Sequence, residues 1–257
     1  MIAAGFQQIL HGLRRRLGLY PGSVTRERSE KTSDWYDRLY DEAGVYQQPY
    51  YRSFYYFLWA VITDRLRMAG MRRVLEIGCG PGQLAAMLLE QGVEDYVGLD
   101  FSATAIAMAR KNAPGGRFFV GDARTTRLHS EVEHEVIICT EVLEHIEDDL
   151  LTMSRFTHGR RCICSVPNFA YPGHVRYFRD AEEVRARYGP FFHDLDIMTF
   201  KSPYSTPGET TLFFLADGVR NDRIIEQDSS VVSAGTVVTP TSPPNGLILK
   251  TVHEASS

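Results

Sequence analysis

The sequence predicts an α/β fold: a mostly parallel sheet of seven strands with helices on both faces and an antiparallel hairpin at the C-terminal edge. Three observations carry this prediction. Between residues 73 and 168, short apolar runs alternate with stretches of helical periodicity. The first run closes on three glycines in five positions, Gly78-Cys79-Gly80-Pro81-Gly82, directly before an apolar helix pattern. Near the C-terminus two extended runs follow each other with only a Pro- and Gly-containing turn between them, the spacing of an antiparallel pair.

The elements follow in order. MIAAGFQQILHGLRRRLGLYPG carries Phe6, Ile9, Leu10, Leu13 and Leu17 at helical spacing beside Arg14, Arg15 and Arg16. It lacks the unbroken apolar core of a secretory signal and reads as a docking helix or a poorly ordered terminus, with a membrane-surface helix as the alternative. Residues 21–48 are polar and turn-rich, with scattered Tyr36, Tyr40 and Tyr46. In PYYRSFYYFLWAVITDRLRMAG, the residues Tyr51, Phe54, Tyr55, Leu58, Ile62 and Leu66 recur as i, i+3, i+4, i+7, predicting an amphipathic helix that ends at Gly70. Most of its rings are expected in the core and a few on a pocket wall.

From residue 73, RVLEIGC reads as a strand and GQLAAMLLEQG as a helix closed by Gly92. DYVGLD is the second strand, and SATAIAMARKNA the second helix, with Ser102 as N-cap. GRFFVGDA and HEVIICTE are the next strands; VLEHIEDDLLTMSRFT is a helix; RRCICSVPN is the fifth strand, its pairing ended by Pro167. DAEEVRARYG is a helix, and HDLDIMTFKS with TTLFFLADGV forms the edge hairpin. The Ser/Thr/Val/Pro mixture that follows lacks the apolar content for a core. The expected organisation is an N-terminal helical or lid segment (1–70), a ligand-binding domain (71–222) and a flexible or weakly docked tail (223–257).

Composition narrows the function classes. With 28 Lys+Arg against 32 Asp+Glu the net charge is −4, so no global basic field gathers nucleic acid, and no DNA partner is expected. No apolar run reaches the roughly 18 residues of a membrane span, which leaves the cytoplasm as the expected location. Cys79, Cys139, Cys162 and Cys164 form no disulfide framework. Cys162 and Cys164 share one side of a strand and read as small core residues.

Bare backbone at the tip of a parallel strand lets a ligand approach closely, and the next helix turns its N-terminus to the same spot. Asp100 ends the second strand, eighteen residues past Gly82, where a carboxylate can accept hydrogen bonds from ribose hydroxyls. Asp122, after the third strand, is positioned for a purine amine or for a turn cap. The dinucleotide fingerprint needs a third glycine where Gln83 stands. Glu76, two residues before the first glycine, would repel a pyrophosphate and suits an ammonium or sulfonium. Both features argue against a nicotinamide dinucleotide.

VLEIGCGPGQLAAML, YVGLDFSATAIAMAR, FFVGDA and ICTEVLEHI resemble, in order and spacing, the successive motifs of the class I S-adenosylmethionine-dependent methyltransferases, over roughly residues 72–170. The resemblance implies a Rossmann-like fold with a reversed edge hairpin. It implies that Glu76, Gly78, Cys79 and Gly80 surround the methionine portion of S-adenosylmethionine. It further implies that Asp100 holds the ribose beside Phe101, that Asp122 and Ala123 contact the base, and that Cys139 and Thr140 lie near the sulfonium.

On the acceptor side, Glu141, Glu144 and His145 have i, i+3, i+4 spacing, so on a helix they share a face. His145, with Glu141, is the candidate base. The same set with His174 could hold a metal, as a similar Glu-x-x-Glu-His motif does in small-RNA 3′-end methyltransferases and some quinone-pathway O-methyltransferases; the alternative is caps and solvated charges. His174, Arg176 and Tyr177 lie in the loop expected to line the acceptor pocket. The expected function is methyl transfer by in-line displacement to a small-molecule oxygen, nitrogen or carbon. The alternatives are an RNA or protein acceptor at a metal site, or a non-catalytic cofactor-binding subunit.

Overall fold

The computed structural model describes residues 29–202 and 210–223. The N-terminal amphipathic stretch and the 224–257 tail lie outside the described residues. Strand β1 (Arg73–Ile77) is flanked by β2 (Asp95–Asp100) and then β3 (Arg117–Val120) on one side. On the other lie β4 (Val136–Thr140), β5 (Arg161–Pro167), β7 (Leu212–Arg220) and the edge strand β6 (Phe192–Lys201), giving the order β3-β2-β1-β4-β5-β7-β6. β1 to β5 run parallel, and β7 is antiparallel to both β5 and β6. The expected seven-stranded sheet and edge hairpin are therefore present.

The central strands are apolar throughout because helices cover both faces of the sheet. Val74, Tyr96, Val136, Ile138 and Ile163 pack with helices α2 (Tyr56–Met68), α3 (Gln83–Glu90) and α4 (Ala103–Asn112), through Leu58, Ile62, Leu84, Leu88 and Ile106. Leu75, Ile77, Val97, Ile137 and Cys162 pack instead against Met153, Val184 and Tyr188. The expectation that most rings of this segment lie in the core is corrected: the aliphatic Leu58, Ile62 and Leu66 are buried, but of the rings only Trp59 is, while Tyr50, Tyr55 and Phe57 pack half-buried against the core and Tyr51 and Tyr56 are exposed. Helix α2 begins only at Tyr56, after a single 3-10 turn at Tyr50–Arg52.

Two further local expectations are corrected. The polar stretch 21–48 contains a helix, α1 (Ser33–Glu42). Tyr36, Leu39, Tyr40 and Ala43 recur as i, i+3, i+4, i+7, and three of them are buried; the surrounding charges mask the stripe. The single helix expected after β4 is two pieces, a 3-10 turn at Leu143–His145 and α6 (Asp149–Ser154). Glu141 sits at φ +56 and Ile146 is extended, so neither continues a helix. A short α5 (Leu128–Glu131) precedes β4, and α7 (Ala181–Tyr188) precedes β6. No helix among the described residues is long and apolar enough to cross a membrane.

Gly82 shows how tightly the glycine loop is built. Its φ is +75, and a Cβ there would lie 2.8 Å from the Ala109 Cα on α4. Gly82→Ala therefore combines backbone strain with overpacking against main chain and is expected to cost about 2–4 kcal/mol. Urea unfolding would show it; an unchanged midpoint would mean that α4 slides freely on the loop.

Candidate active site

In an open sheet the ligand crevice lies beyond the strands' carboxyl ends where the order reverses, here between β1 and β4. Gly78 and Gly80 adopt φ +76 and +51. A Cβ on Gly78 would collide with Val142 Cγ2, and one on Gly80 would reach the Tyr40 hydroxyl at 3.4 Å. The loop is thus hemmed by the segment after β4 and roofed by α1. The Cys79 thiol is buried toward β2, where a Cβ on Gly98 would lie 2.8 Å from its Sγ.

Asp100 is 6% exposed at the tip of β2. Gly80 N donates to its Oδ2 and Ser102 N to its Oδ1, each at 2.9 Å. Burial lifts its pKa to about 6, against the pull of those two bonds. Each oxygen keeps a further lone pair for a ligand hydroxyl. Glu76 is buried mid-strand and accepts from the Tyr96 phenol. Desolvation pushes its pKa up to about 8, so a cation beside it would favour ionisation. These two carboxylates, with the bare loop between them, fit a ligand that carries vicinal hydroxyls and a positive charge.

The remaining residues expected on the cofactor side stand at or just after the ends of β2, β3 and β4. The Phe101 ring packs 5.1 Å from the Tyr36 ring of α1. Asp122 is engaged by Arg124, which donates to both its oxygens at 2.6–3.1 Å and holds its pKa below the carboxylate norm. Arg124 reaches on to Glu30 at 3.0 Å. The Asp122 carboxylate is therefore one end of a surface ion chain, with Ala123 packed under it against the core. Thr140 ends β4, whereas Cys139 is fully buried.

The acceptor-side residues do not share a helical face. Glu141, on its left-handed backbone, accepts from Ser165 Oγ at 2.7 Å, and burial raises its pKa to about 8. Glu144 and His145 lie on the 3-10 turn and meet His174 from the loop after β5. One ligand atom from each of these three lies within 4.8 Å of the others. The His145 and His174 rings are 4.6 Å apart, edge to face. His174 Nδ1 donates to the Phe169 carbonyl at 2.9 Å, which leaves its Nε2 as a bare lone pair. Burial lowers the His145 pKa to about 3 and that of His174 to about 4, so both rings are neutral.

Glu144 is 0% exposed, and neither of its carboxylate oxygens has a hydrogen-bond partner. A solvated charge or a helix cap would show exposure or a partner; Glu144 has neither. Unpaired carboxylate oxygens beside neutral imidazoles form a donor set that fits a divalent cation.

Arg176 does not face the pocket as a free cation. Its guanidinium donates to the Leu143 carbonyl at 2.6 Å, to Ile146 O and to the Glu147 carbonyl at 2.9 Å, and it pairs with Asp149 at 3.3 Å. It clamps the Glu144–His145 turn. Tyr177 is 36% exposed at the edge of the same loop. Phe169 and Tyr171, each under 6 Å from the His174 ring, form an aromatic wall that sequence reasoning missed. The basic pair Arg72 and Arg73 is matched by Glu94, Glu133 and Glu135.

Known proteins resemble this chain as follows. Residues 74–157 match a family model described as a methyltransferase domain. The ubiquinone biosynthesis O-methyltransferase of Sodalis glossinidius (strain morsitans) is 35% identical over 81 residues, which are 30% of this chain and 32% of that protein. The enzyme of the same name from Aliivibrio fischeri (strain MJ11) is 36% identical over 83 residues, 31% of this chain and 35% of the relative. The match thus spans about a third of the relatives' length. The magnesium protoporphyrin IX methyltransferase of Synechocystis PCC 6803, solved with bound SAH, superposes with a TM-score of 0.53 at 18% identity, covering 72% of this chain and 99% of that one.

Proposed function

We propose, on the premise that residues 74–157 constitute a class I methyltransferase domain, that this chain methylates a hydroxyl of a small-molecule acceptor. The observation that carries the reading is the adjoining of two sites. One is the bare loop with Asp100 and Glu76; the other is the Glu144–His145–His174 centre.

S-adenosylmethionine, when bound, supplies the electrophile, a methyl group on positive sulfur. Asp100 accepts from the ribose hydroxyls, Glu76 balances the positive charge of the methionine end, and Gly78 to Gly80 admit its close approach. A divalent cation, when bound, lowers the pKa of a coordinated hydroxyl; Glu144, His145 and His174 would hold it. Glu141, close enough to Glu144 to act on it electrostatically and bonded to Ser165 Oγ, would take the acceptor's proton from its ionised form, which a cation at Glu144 would favour. Phe169 and Tyr171 shield the centre from water, and orientation alone can lower the barrier by several kcal/mol.

An RNA or protein acceptor loses support because Arg72 and Arg73 are already paired with carboxylates. A dinucleotide is disfavoured by Gln83, the first residue of α3, whose amide is spent on the Gln48 carbonyl. The names of the curated relatives support oxygen as the attacked atom. A soluble cytoplasmic setting suits the reading.

The test supplies purified protein with methyl-labelled S-adenosylmethionine and a panel of phenols and catechols. The expected result is label in an aryl methyl ether, lost on chelation and restored by Mg2+ or Mn2+. Label recovered only in added RNA or protein would overturn it.

A further inference from the structure

We propose that Tyr36 is the positioning residue that aims His145 at Glu144 and His174, and that helix α1 thereby ties the cofactor crevice to the acceptor centre. The cation, S-adenosylmethionine and kinetic arms of the test below rest on the proposed function; the NMR arm does not.

The Tyr36 oxygen lies 2.8 Å from His145 Nδ1, with the two rings at 87°. What one imidazole nitrogen bonds fixes what the other can do. With Nδ1 held by Tyr36, Nε2 is turned to the carboxylate side, 3.8 Å from Glu144 Oε1. A phenol both donates and accepts. It can give its proton to a bare Nδ1, or accept from Nδ1–H when the Nε2 lone pair is taken by a cation. Phenylalanine can do neither.

The contact is closely packed. A Cβ on Gly173 would sit 3.2 Å from both the Tyr36 oxygen and His145 Nδ1, and that glycine has φ +95. The opposite side of the Tyr36 environment belongs to the cofactor crevice, through the Phe101 ring. Helix α1 is fixed over the crevice at further points. Asp37 Oδ1 accepts from the Ser102 hydroxyl and from Thr104 N, capping α4. The Tyr40 hydroxyl lies over Gly80. Just before α1, Glu30 accepts from Arg124 and from Glu147 N. Any displacement of α1 at the crevice is therefore felt at His145.

The experiment is Tyr36→Phe in the full chain, which keeps the ring against Phe101 and removes only the oxygen. Nitrogen-15 NMR of the histidine rings, with His145 assigned by its loss in His145→Gln, is expected to show altered His145 Nδ1 and Nε2 shifts. Mn2+ affinity, by calorimetry, is expected to fall about 10–100-fold, the usual effect of losing the partner of a ligating histidine. The kcat should fall by a similar factor, with S-adenosylmethionine affinity within twofold of the parent. Unchanged His145 shifts overturn the proposal whether or not the parent protein methylates any acceptor. A loss confined to S-adenosylmethionine affinity also overturns it, since that would make Tyr36 a packing residue of the lid alone.

Discussion

Asp100→Ala is expected to weaken S-adenosylmethionine binding at least 100-fold in calorimetry at neutral pH. Hydrogen bonds to a charged acceptor contribute about 1.5–3 kcal/mol each, and two ribose hydroxyls meet this carboxylate in the proposed complex. Every 1.4 kcal/mol is tenfold in affinity. The carboxylate also ties Gly80 to Ser102, so its removal loosens the glycine loop as well. The pH dependence of the parent protein separates the two effects. The free group titrates near pH 6 because it is buried, and a ligand that donates to its oxygens must lower that value. The complex then binds fewer protons than the free protein. Affinity should be level above pH 6 and fall by up to tenfold per unit below it, and the slope should vanish in Asp100→Ala. Fold stability has the opposite sign. A pKa raised from 3.8 to about 6 in the native state means that the native state binds the extra proton. The ligand-free protein should therefore gain up to about 3 kcal/mol as pH falls through that window. A parent protein whose affinity is flat from pH 7 to 5 would remove Asp100 from the ribose.

The sheet was legible because strands buried on both faces have no polar alternation to obscure them, and the crevice because Gly78, Gly80 and Gly82 stand where side chains cannot. Ser102 reads as an N-cap from its place before an apolar helix, and its hydroxyl accepts from Ala105 N. Helix α1 escaped because Asp34, Asp37, Arg38, Asp41 and Glu42 outweigh its four-residue stripe in any local hydropathy reading. Its role depends on a bond between residues 109 apart in sequence, which no periodicity reports. The Glu-x-x-Glu-His spacing suggested a helical face, but Glu141 at φ +56 breaks the helix before it begins. What unites Glu144, His145 and His174 is a tight turn and a distant loop clamped together by Arg176, a side chain whose charge suggested a ligand and whose geometry makes it a brace.

Glu144→Gln is expected to abolish Mn2+ binding and to reduce methyl transfer to below about one per cent, while leaving the metal-free protein at least as stable as the parent. Loss of the one carboxyl of the three-residue set removes the only ligand that can become an anion beside a cation; burial holds it in its neutral form without one. The stability follows from the same burial. A carboxylate without partners is costly in the interior, whereas a glutamine amide carries two donors that can turn to the neighbouring imidazole lone pairs. Thermal melts distinguish the two states. Cation at 100 times its Kd adds about 2.7 kcal/mol to a protein that binds it only when folded. The parent should therefore melt higher with Mn2+ than without it, and Glu144→Gln should melt at one temperature in both. If the variant keeps the cation-dependent rise, the ion sits elsewhere. A variant that melts far below the parent without metal would instead mean that the carboxylate was satisfied all along, and that its place among the histidines serves the fold rather than the reaction.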